Sequence, residues 1–421
     1  MTHRRPALIA VIAAIAAVAA ATALSAVARQ VPETPPPTPV NGSPSPFLSA
    51  LETPASAARL PVLHAPGALL ADMGSGTVLL RKASEAPRPI ASLTKIMTAL
   101  VVLEGAALDE VVVVDPRAVY ERGDYGASST LGLRAGERIA VEDLLYALML
   151  GSANDASEAL AIHVDGSVEA FVDHMNRQAA ALGMRDTRFY SPSGLDDRGR
   201  STPSDLLRLV AVADGRPVLR TIAATRFHRI VGIGSAPDRR VQNRNVLLWL
   251  YPGAQGMKTG FTFGARACLV AVAERDGLRL VSIVLGAPDE AFSDAAALLN
   301  HGFEGFAEET FVRMGESLGP LRIRGGTVPV IAGEDLTALV PTRSIDEIER
   351  ELVADPEAAF PPAPGATVGT FRLRGPASIL GTVPLVVDVV PAAPAEEGPW
   401  WARTAETVGR ALVDALEGLA D

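Results

Sequence analysis

Three short polar motifs stand far apart in this 421-residue chain: Ser92-Leu93-Thr94-Lys95, Ser152-Ala153-Asn154 and Lys258-Thr259-Gly260. The first and second serines are 60 residues apart (92 to 152), and 106 residues then lead to the lysine of the third motif (152 to 258). Each motif alone is commonplace. Together and in this order they constrain the fold, because each sits at the end of a different apolar pattern. Helical spacing follows Ser92 through Leu103 and runs again from Val141 to Ala161, while a strand-like run begins at Lys258.

The residue types suit nucleophilic catalysis. Ser92 and Lys95, three apart at a helix start, share one face and lie within contact range. A serine hydroxyl becomes a useful nucleophile only when a base takes its proton. A lysine can be that base if burial or a nearby cation lowers its pKa, and Lys258 is a candidate for that cation. The plainer reading is a helix-capping serine beside a surface lysine. Gly151 allows a tight exit from the helix that ends near Leu150, and an extended loop would then turn Ser152 and Asn154 to one side. There a hydroxyl can relay a proton to a leaving amine, and an amide can hold a substrate carbonyl. If the strand carrying Lys258-Thr259-Gly260 lies at a sheet edge, it can pair with an extended peptide, and Gly260 lets that peptide approach closely.

Composition narrows the partners. A net charge of -10 and the lack of any long basic run argue against nucleic acid. The six histidines are scattered and no HExxH or Cys/His cluster occurs, so neither a metal nor a cofactor is expected. Cys268 is the single cysteine, which excludes an intramolecular disulfide, and it reads as a small buried hydrophobe.

Residues 1–28 read as a signal peptide or an N-terminal anchor, with Arg4-Arg5 ahead of an uncharged Ala-rich stretch and Ala26-Val27-Ala28 as a cleavage site. Residues 29–55 form a Pro-rich linker, with eight prolines between 29 and 54. From 56 to 308 strand patterns flank helical ones. Gly67–Asp72 and Thr77–Leu80 bracket a turn, and Leu269–Val272 and Leu278–Leu285 form a hairpin about Asp276-Gly277. Residues 309–392 read as a β-rich C-terminal domain, with a short helix over Thr342–Val353. Residues 393–421 carry an amphipathic helix whose apolar face runs through Trp401, Val408, Leu412 and Leu419. That helix packs on its own domain or lies on a membrane surface.

The three motifs resemble those of penicillin-binding proteins and serine β-lactamases. Ile90 to Thr98, Leu144 to Ala156, Gly183-Met184 with Gly194-Leu195-Asp196, and Asn243-Arg244-Asn245 to Trp249 resemble segments of the low-molecular-mass penicillin-binding proteins that are D-alanyl-D-alanine carboxypeptidases. The resemblance spans roughly residues 60 to 392. It implies an α+β fold: a β-lactamase/transpeptidase-like catalytic domain with an antiparallel sheet flanked by helices, a small all-β C-terminal domain and a terminal amphipathic helix. It implies removal of the terminal D-alanine from peptidoglycan stem pentapeptides, with β-lactam antibiotics as covalent inhibitors. It places the protein outside the cell, at the outer face of the cytoplasmic membrane.

The implied roles are these. Ser92 is the acylated nucleophile, Lys95 its base, and Ser152 the proton relay to the leaving D-alanine. Asn154 orients the substrate amide, Lys258 supplies positive potential, and Gly260 gives the substrate room. Thr259 and Arg244 bind the terminal carboxylate, with Arg279 a weaker candidate, and the backbone N–H groups of Ser92 and Phe261 form the oxyanion hole. The chain departs from relatives at Ser193 and Phe261, where some carry histidine, and at Ala153, where glycine is commoner. DD-endopeptidase activity on cross-links, a serine β-lactamase and a non-catalytic wall-binding scaffold are the competing readings. A β-lactamase needs a fast deacylating base between the second and third motifs, and no segment here matches that loop.

Overall fold

The structure is a computed structural model that describes residues 60–121, 129–289, 291–343, 345–375 and 379–388. The signal segment, the Pro-rich linker and the expected terminal helix lie outside the described residues.

Two strands open the fold, β1 (Gly67–Asp72) and β2 (Val78–Lys82). A turn over Ala91–Thr94 leads into helix α1 (Lys95–Gly105), buried on all sides from Lys95 to Val102. Helix α2 (Val141–Tyr146) runs into a π-helical turn over Ala147–Gly151. The chain then breaks at Ser152-Ala153, and α3 (Asn154–Asp165) and α4 (Val168–Ala181) follow. The helical run expected over Val141–Ala161 is thus two helices, with the second motif at their junction. Next come α5 (Pro203–Asp214), capped by the Thr202 hydroxyl, and α6 (Pro217–Ala224). The sheet is completed by β3 (Ala254–Thr262), β4 (Arg266–Arg275) and β5 (Leu278–Ala287), and α7 (Phe292–Gly305) packs on it.

The five strands form one antiparallel sheet in the order β2-β1-β5-β4-β3. Its central strands are buried on both faces, and for that reason β1 and β4 read as unbroken apolar runs rather than alternating ones. Asp276 and Gly277 both take positive φ (51° and 86°), the geometry of a tight two-residue hairpin. β3 lies at the sheet edge, with Lys258 opposite Val270 and Gly260 opposite Cys268.

After α7 come the strands β6 (Phe306–Val312), β7 (Ser317–Ile323), β8 (Gly326–Ala332), β9 (Leu336–Pro341), β10 (Glu349–Ala354), β11 (Thr367–Arg374) and β12 (Ile379–Val387). β6 pairs with β9, and the other five form a second sheet in the order β7-β8-β12-β11-β10 around a separate apolar cluster. The helix expected over Thr342–Val353 does not form. A single helical turn at Ile345–Glu347 precedes β10, whose Leu352 lies opposite Phe371 and whose Glu351 pairs with Arg374 at 2.8 Å. Cross-strand partners overrode the helical propensity of the charged residues there.

Candidate active site

Ser92 sits in the helical turn just before α1 and is held there by strain. Ala91 adopts a positive φ of 47°, which costs a non-glycine residue about 1–3 kcal/mol. No side-chain capping bond is made at this helix start, so the plainer reading of Ser92 as a cap does not apply.

Lys95 opens α1 one turn later and is fully buried. Its Nζ lies 3.1 Å from Ser92 Oγ, 2.7 Å from Asn154 Oδ1 and 2.6 Å from the carbonyl of Ser193. Burial, then the positive charges of Lys258 and Arg244, hold its pKa well below the usual 10.5. Lys258 is also buried, and burial together with Arg244 brings it down to about 7. Three basic side chains, Lys95, Lys258 and Arg244, therefore converge on one cleft.

Ser152 takes a left-handed conformation (φ 58°, ψ 34°), so the turn out of the π-helical segment falls on the serine itself and not on Gly151. Asn154 begins α3. The pair is thus a strained junction between helices rather than an extended loop. This geometry gives Asn154 a task absent from the sequence reading: its side-chain oxygen accepts a hydrogen bond from Lys95. Next to it, Asp155 ties the junction down by accepting from the backbone N–H groups of Leu131, Gly132 and Leu133.

The Asn243-Arg244-Asn245 segment is fastened from both ends. Asn243 Nδ2 donates to the carbonyls of Ala223 and Thr225, and Asn245 Nδ2 to that of Gly256. Arg244 is thereby fixed beside the cleft, 3.0 Å from Ser129 Oγ. The edge strand comes very close to the serine turn. A Cβ added at Gly260 would lie 3.1 Å from the backbone nitrogen of Ser92 and from the carbonyl oxygen of Ile90.

A cleft of about 570 Å³ collects Ser92, Ser152, Asn154, Arg244, Thr259 and Gly260, and Phe261 stands at its mouth. Lys95 and Lys258 lie beneath it. Arg279 does not join them. It pairs with Asp214 at 2.6 Å and with Glu274 at 2.8 Å, at the far end of the hairpin, and is no longer a carboxylate candidate. Cys268 backs the cleft but is buried, and burial pushes its thiol up to about 12.

Two participants were missed from sequence. Ser193 contributes through its backbone carbonyl, a role no side-chain pattern encodes. Its neighbour Gly194 has φ 77°, and a Cβ there would fall 2.0 Å from the carbonyl oxygen of Ala91, so only glycine lets this loop reach Lys95. Ser129 had no distinguishing signal.

A family profile described as D-alanyl-D-alanine carboxypeptidase (Peptidase_S11) matches residues 54–289. The D-alanyl-D-alanine carboxypeptidase DacC of Escherichia coli is 32% identical over 335 residues, covering 75% of this chain and 82% of that protein. A D-alanyl-D-alanine endopeptidase of the same organism is 34% identical over 51% of this chain and 69% of its own length. Penicillin-binding protein 5 of Haemophilus influenzae superposes with a TM-score of 0.63 at 27% identity, covering 78% of this chain and 98% of that structure.

Proposed function

Because the chain belongs to the D-alanyl-D-alanine carboxypeptidase family, peptidase S11, and is a serine hydrolase of that kind, we propose the following roles for its residues in removing the terminal D-alanine from a peptidoglycan stem pentapeptide. Ser92 Oγ attacks the carbonyl of the penultimate D-alanine as its proton passes to Lys95. The tetrahedral oxyanion is held by the backbone N–H groups of Ser92 and Phe261. Ser152 delivers a proton to the departing amine, the C–N bond breaks, and the acyl group remains on Ser92 until water removes it. Thr259 and Arg244 hold the terminal carboxylate, and Lys258 supplies positive potential beneath it.

The surroundings of Lys95 carry this reading. A neutral lysine has two N–H bonds and one lone pair. Asn154 Oδ1 and the Ser193 carbonyl are both acceptors and take the two N–H bonds. The lone pair is then left for the third neighbour, Ser92 Oγ. Burial and two nearby cations favour the neutral form that this requires.

β-Lactams would acylate Ser92 in the same way. We also place the protein outside the cell, where its substrate is, with residues 1–28 as signal or anchor, 29–55 as spacer, 56–308 as catalytic domain, 309–392 as β-rich domain and 393–421 as an amphipathic segment. Endopeptidase action on cross-links is the second reading, favoured by the match to an endopeptidase. Mass analysis of products separates the two. The carboxypeptidase releases free D-alanine from a pentapeptide and leaves a cross-linked dimer intact. Dimer cleavage without D-alanine release would reverse the assignment.

A further inference from the structure

In the proposed mechanism Lys95 becomes an ammonium when it takes the Ser92 proton, with Lys258 and Arg244 close by. Its two acceptors, Asn154 Oδ1 and the Ser193 carbonyl, are uncharged dipoles. Two carboxylates stand near on α3, and the catalytic roles use neither. Asp155 is buried and occupied: it accepts from the backbone N–H groups of Leu131, Gly132, Leu133 and Ala156. Glu158 is placed differently. It follows Asn154 by four residues on α3, so the two side chains are neighbours on one face of the helix, about 5–6 Å apart at Cβ. Asn154 in turn meets Lys95 Nζ at 2.7 Å. Glu158 therefore stands one helical turn from the group that touches the ammonium. The turn over Pro116–Ala118 packs on α3, and two residues beyond it the Tyr120 hydroxyl donates to Glu158 Oε1 at 2.5 Å.

The Glu158 carboxylate is half-buried, and burial, opposed by the Tyr120 bond and reinforced by the charge of Asp155, raises its pKa. A charge in such a place is costly unless it meets an opposite one. Lys95 is that opposite charge whenever it holds a proton. Lys258 on β3 and Arg244 on the segment before it oppose the ammonium, while Glu158 and Asp155 on α3 favour it. Resting on the proposed roles of Ser92 and Lys95, we propose that Glu158, held by Tyr120, is a positioning residue for acyl transfer, the counter-charge that stabilises Lys95 while it holds the proton taken from Ser92. The Ser92 O–H bond breaks, the proton moves onto the Lys95 lone pair, and Ser152 passes a proton on to the departing amine. Lys95 ends neutral, and Glu158 stays ionised and exchanges no proton. Without this carboxylate the two neighbouring cations leave Lys95 a weaker base toward a hydroxyl.

The test uses the full-length protein and follows acylation of Ser92 by a labelled penicillin across pH. Glu158→Gln keeps the shape and removes the charge. It should lower the plateau rate roughly three- to tenfold and move the acid limb to lower pH by up to about one unit. The alkaline limb should stay where it is, because burial and Arg244 set Lys258. Tyr120→Phe should move the acid limb the same way by less. Glu158→Asp, which keeps the charge, should recover part of the lost rate. An unmoved acid limb in folded Glu158→Gln protein, or an equal loss of rate at every pH, would overturn the counter-charge. Acylation that survives Lys95→Arg would instead overturn the reading on which it rests, that Lys95 is the base.

Discussion

The two cores of this chain are built from different materials. Around the sheet of β1 to β5, Lys95, Lys258, Asn154, Asp155, Asp205 and Asp294 are buried among the hydrocarbons. Between residues 306 and 388, by contrast, the described residues bury no polar or charged side chain, and Val330, Phe371, Leu373 and Leu385 make an ordinary apolar interior. A buried ammonium costs several kcal/mol unless it is well paired. Lys95 and Lys258 face each other and Arg244, and the negative charges of Glu158 and Asp155 offset only part of this. The contrast shows where stability has been given up for chemistry. One region buries two lysines whose pKa values burial lowers, as the proposed acyl transfer requires, and the other buries only hydrocarbon among its described residues.

The largest effect is expected at Ser92, the proposed nucleophile. Ser92→Ala should lower D-alanine release and penicillin acylation by about 10⁴-fold or more with an unchanged melting curve, and Lys95→Arg should be nearly as inactive because a guanidinium cannot give up its proton. Substantial release by a folded Ser92→Ala protein would mean that the buried charges serve some other purpose.

The second core should respond in the opposite sense. Phe371 is 2% exposed. Phe371→Ala should cost about 3–5 kcal/mol of stability, read by chemical denaturation, while kcat/KM of the folded fraction stays within about twofold. A collapse of kcat/KM with the fold intact would give the β-rich region a direct part in catalysis.

A smaller effect is expected at Lys258. Lys258→Met should gain about 1–3 kcal/mol of stability at neutral pH while weakening peptide binding. The pH dependence fixes the sign. Lys258 titrates near 7 in the folded protein against its usual 10.5, so between those values the unfolded chain binds the extra proton. Stability of the wild type therefore rises as pH increases through that window, and the methionine variant loses this slope. A variant less stable than wild type would show the lysine to be satisfied where it lies.

The smallest effect concerns Arg244. Its charge lowers the pKa of both lysines. On the proposed roles, the acid limb of kcat/KM should follow loss of the Lys95 proton, and the alkaline limb loss of the Lys258 charge from about 7. Arg244→Gln should move both limbs to higher pH by less than about one unit and raise KM. An unmoved profile would reduce Arg244 to a substrate ligand.

Much of this was legible in the sequence because the chemistry lies in side chains at fixed spacing. Ser92 and Lys95 needed only helical geometry to meet, and Lys258-Thr259-Gly260 needed only an edge strand. What escaped depends on backbone or on distant contacts. The Lys95–Ser193 bond uses a main-chain carbonyl, which leaves no residue-type signature. The break at Ser152 falls inside an apolar run whose 3.6 period continues across it, since a π-helical turn and one left-handed residue do not alter the pattern of hydrophobic residues. Thr342–Val353 reads as a helix by propensity, but from Glu349 onward the chain forms a strand because Phe371, Arg372 and Arg374 lie opposite it. Arg279 had the right charge for a carboxylate, but Asp214 and Glu274 hold it at the wrong end of the sheet.

In the proposed mechanism a lysine whose pKa is lowered by burial activates Ser92 to take an acyl group from D-alanyl-D-alanine. The direct test is intact-protein mass spectrometry after a brief reaction with a stem pentapeptide, with peptide mapping of the adduct and analysis of free amino acid. The expected result is a mass increase equal to the pentapeptide less one alanine, located on Ser92, with one D-alanine released for each peptide consumed. An adduct on another residue, or D-alanine release with no acyl-enzyme under conditions that trap it in penicillin-treated protein, would contradict it.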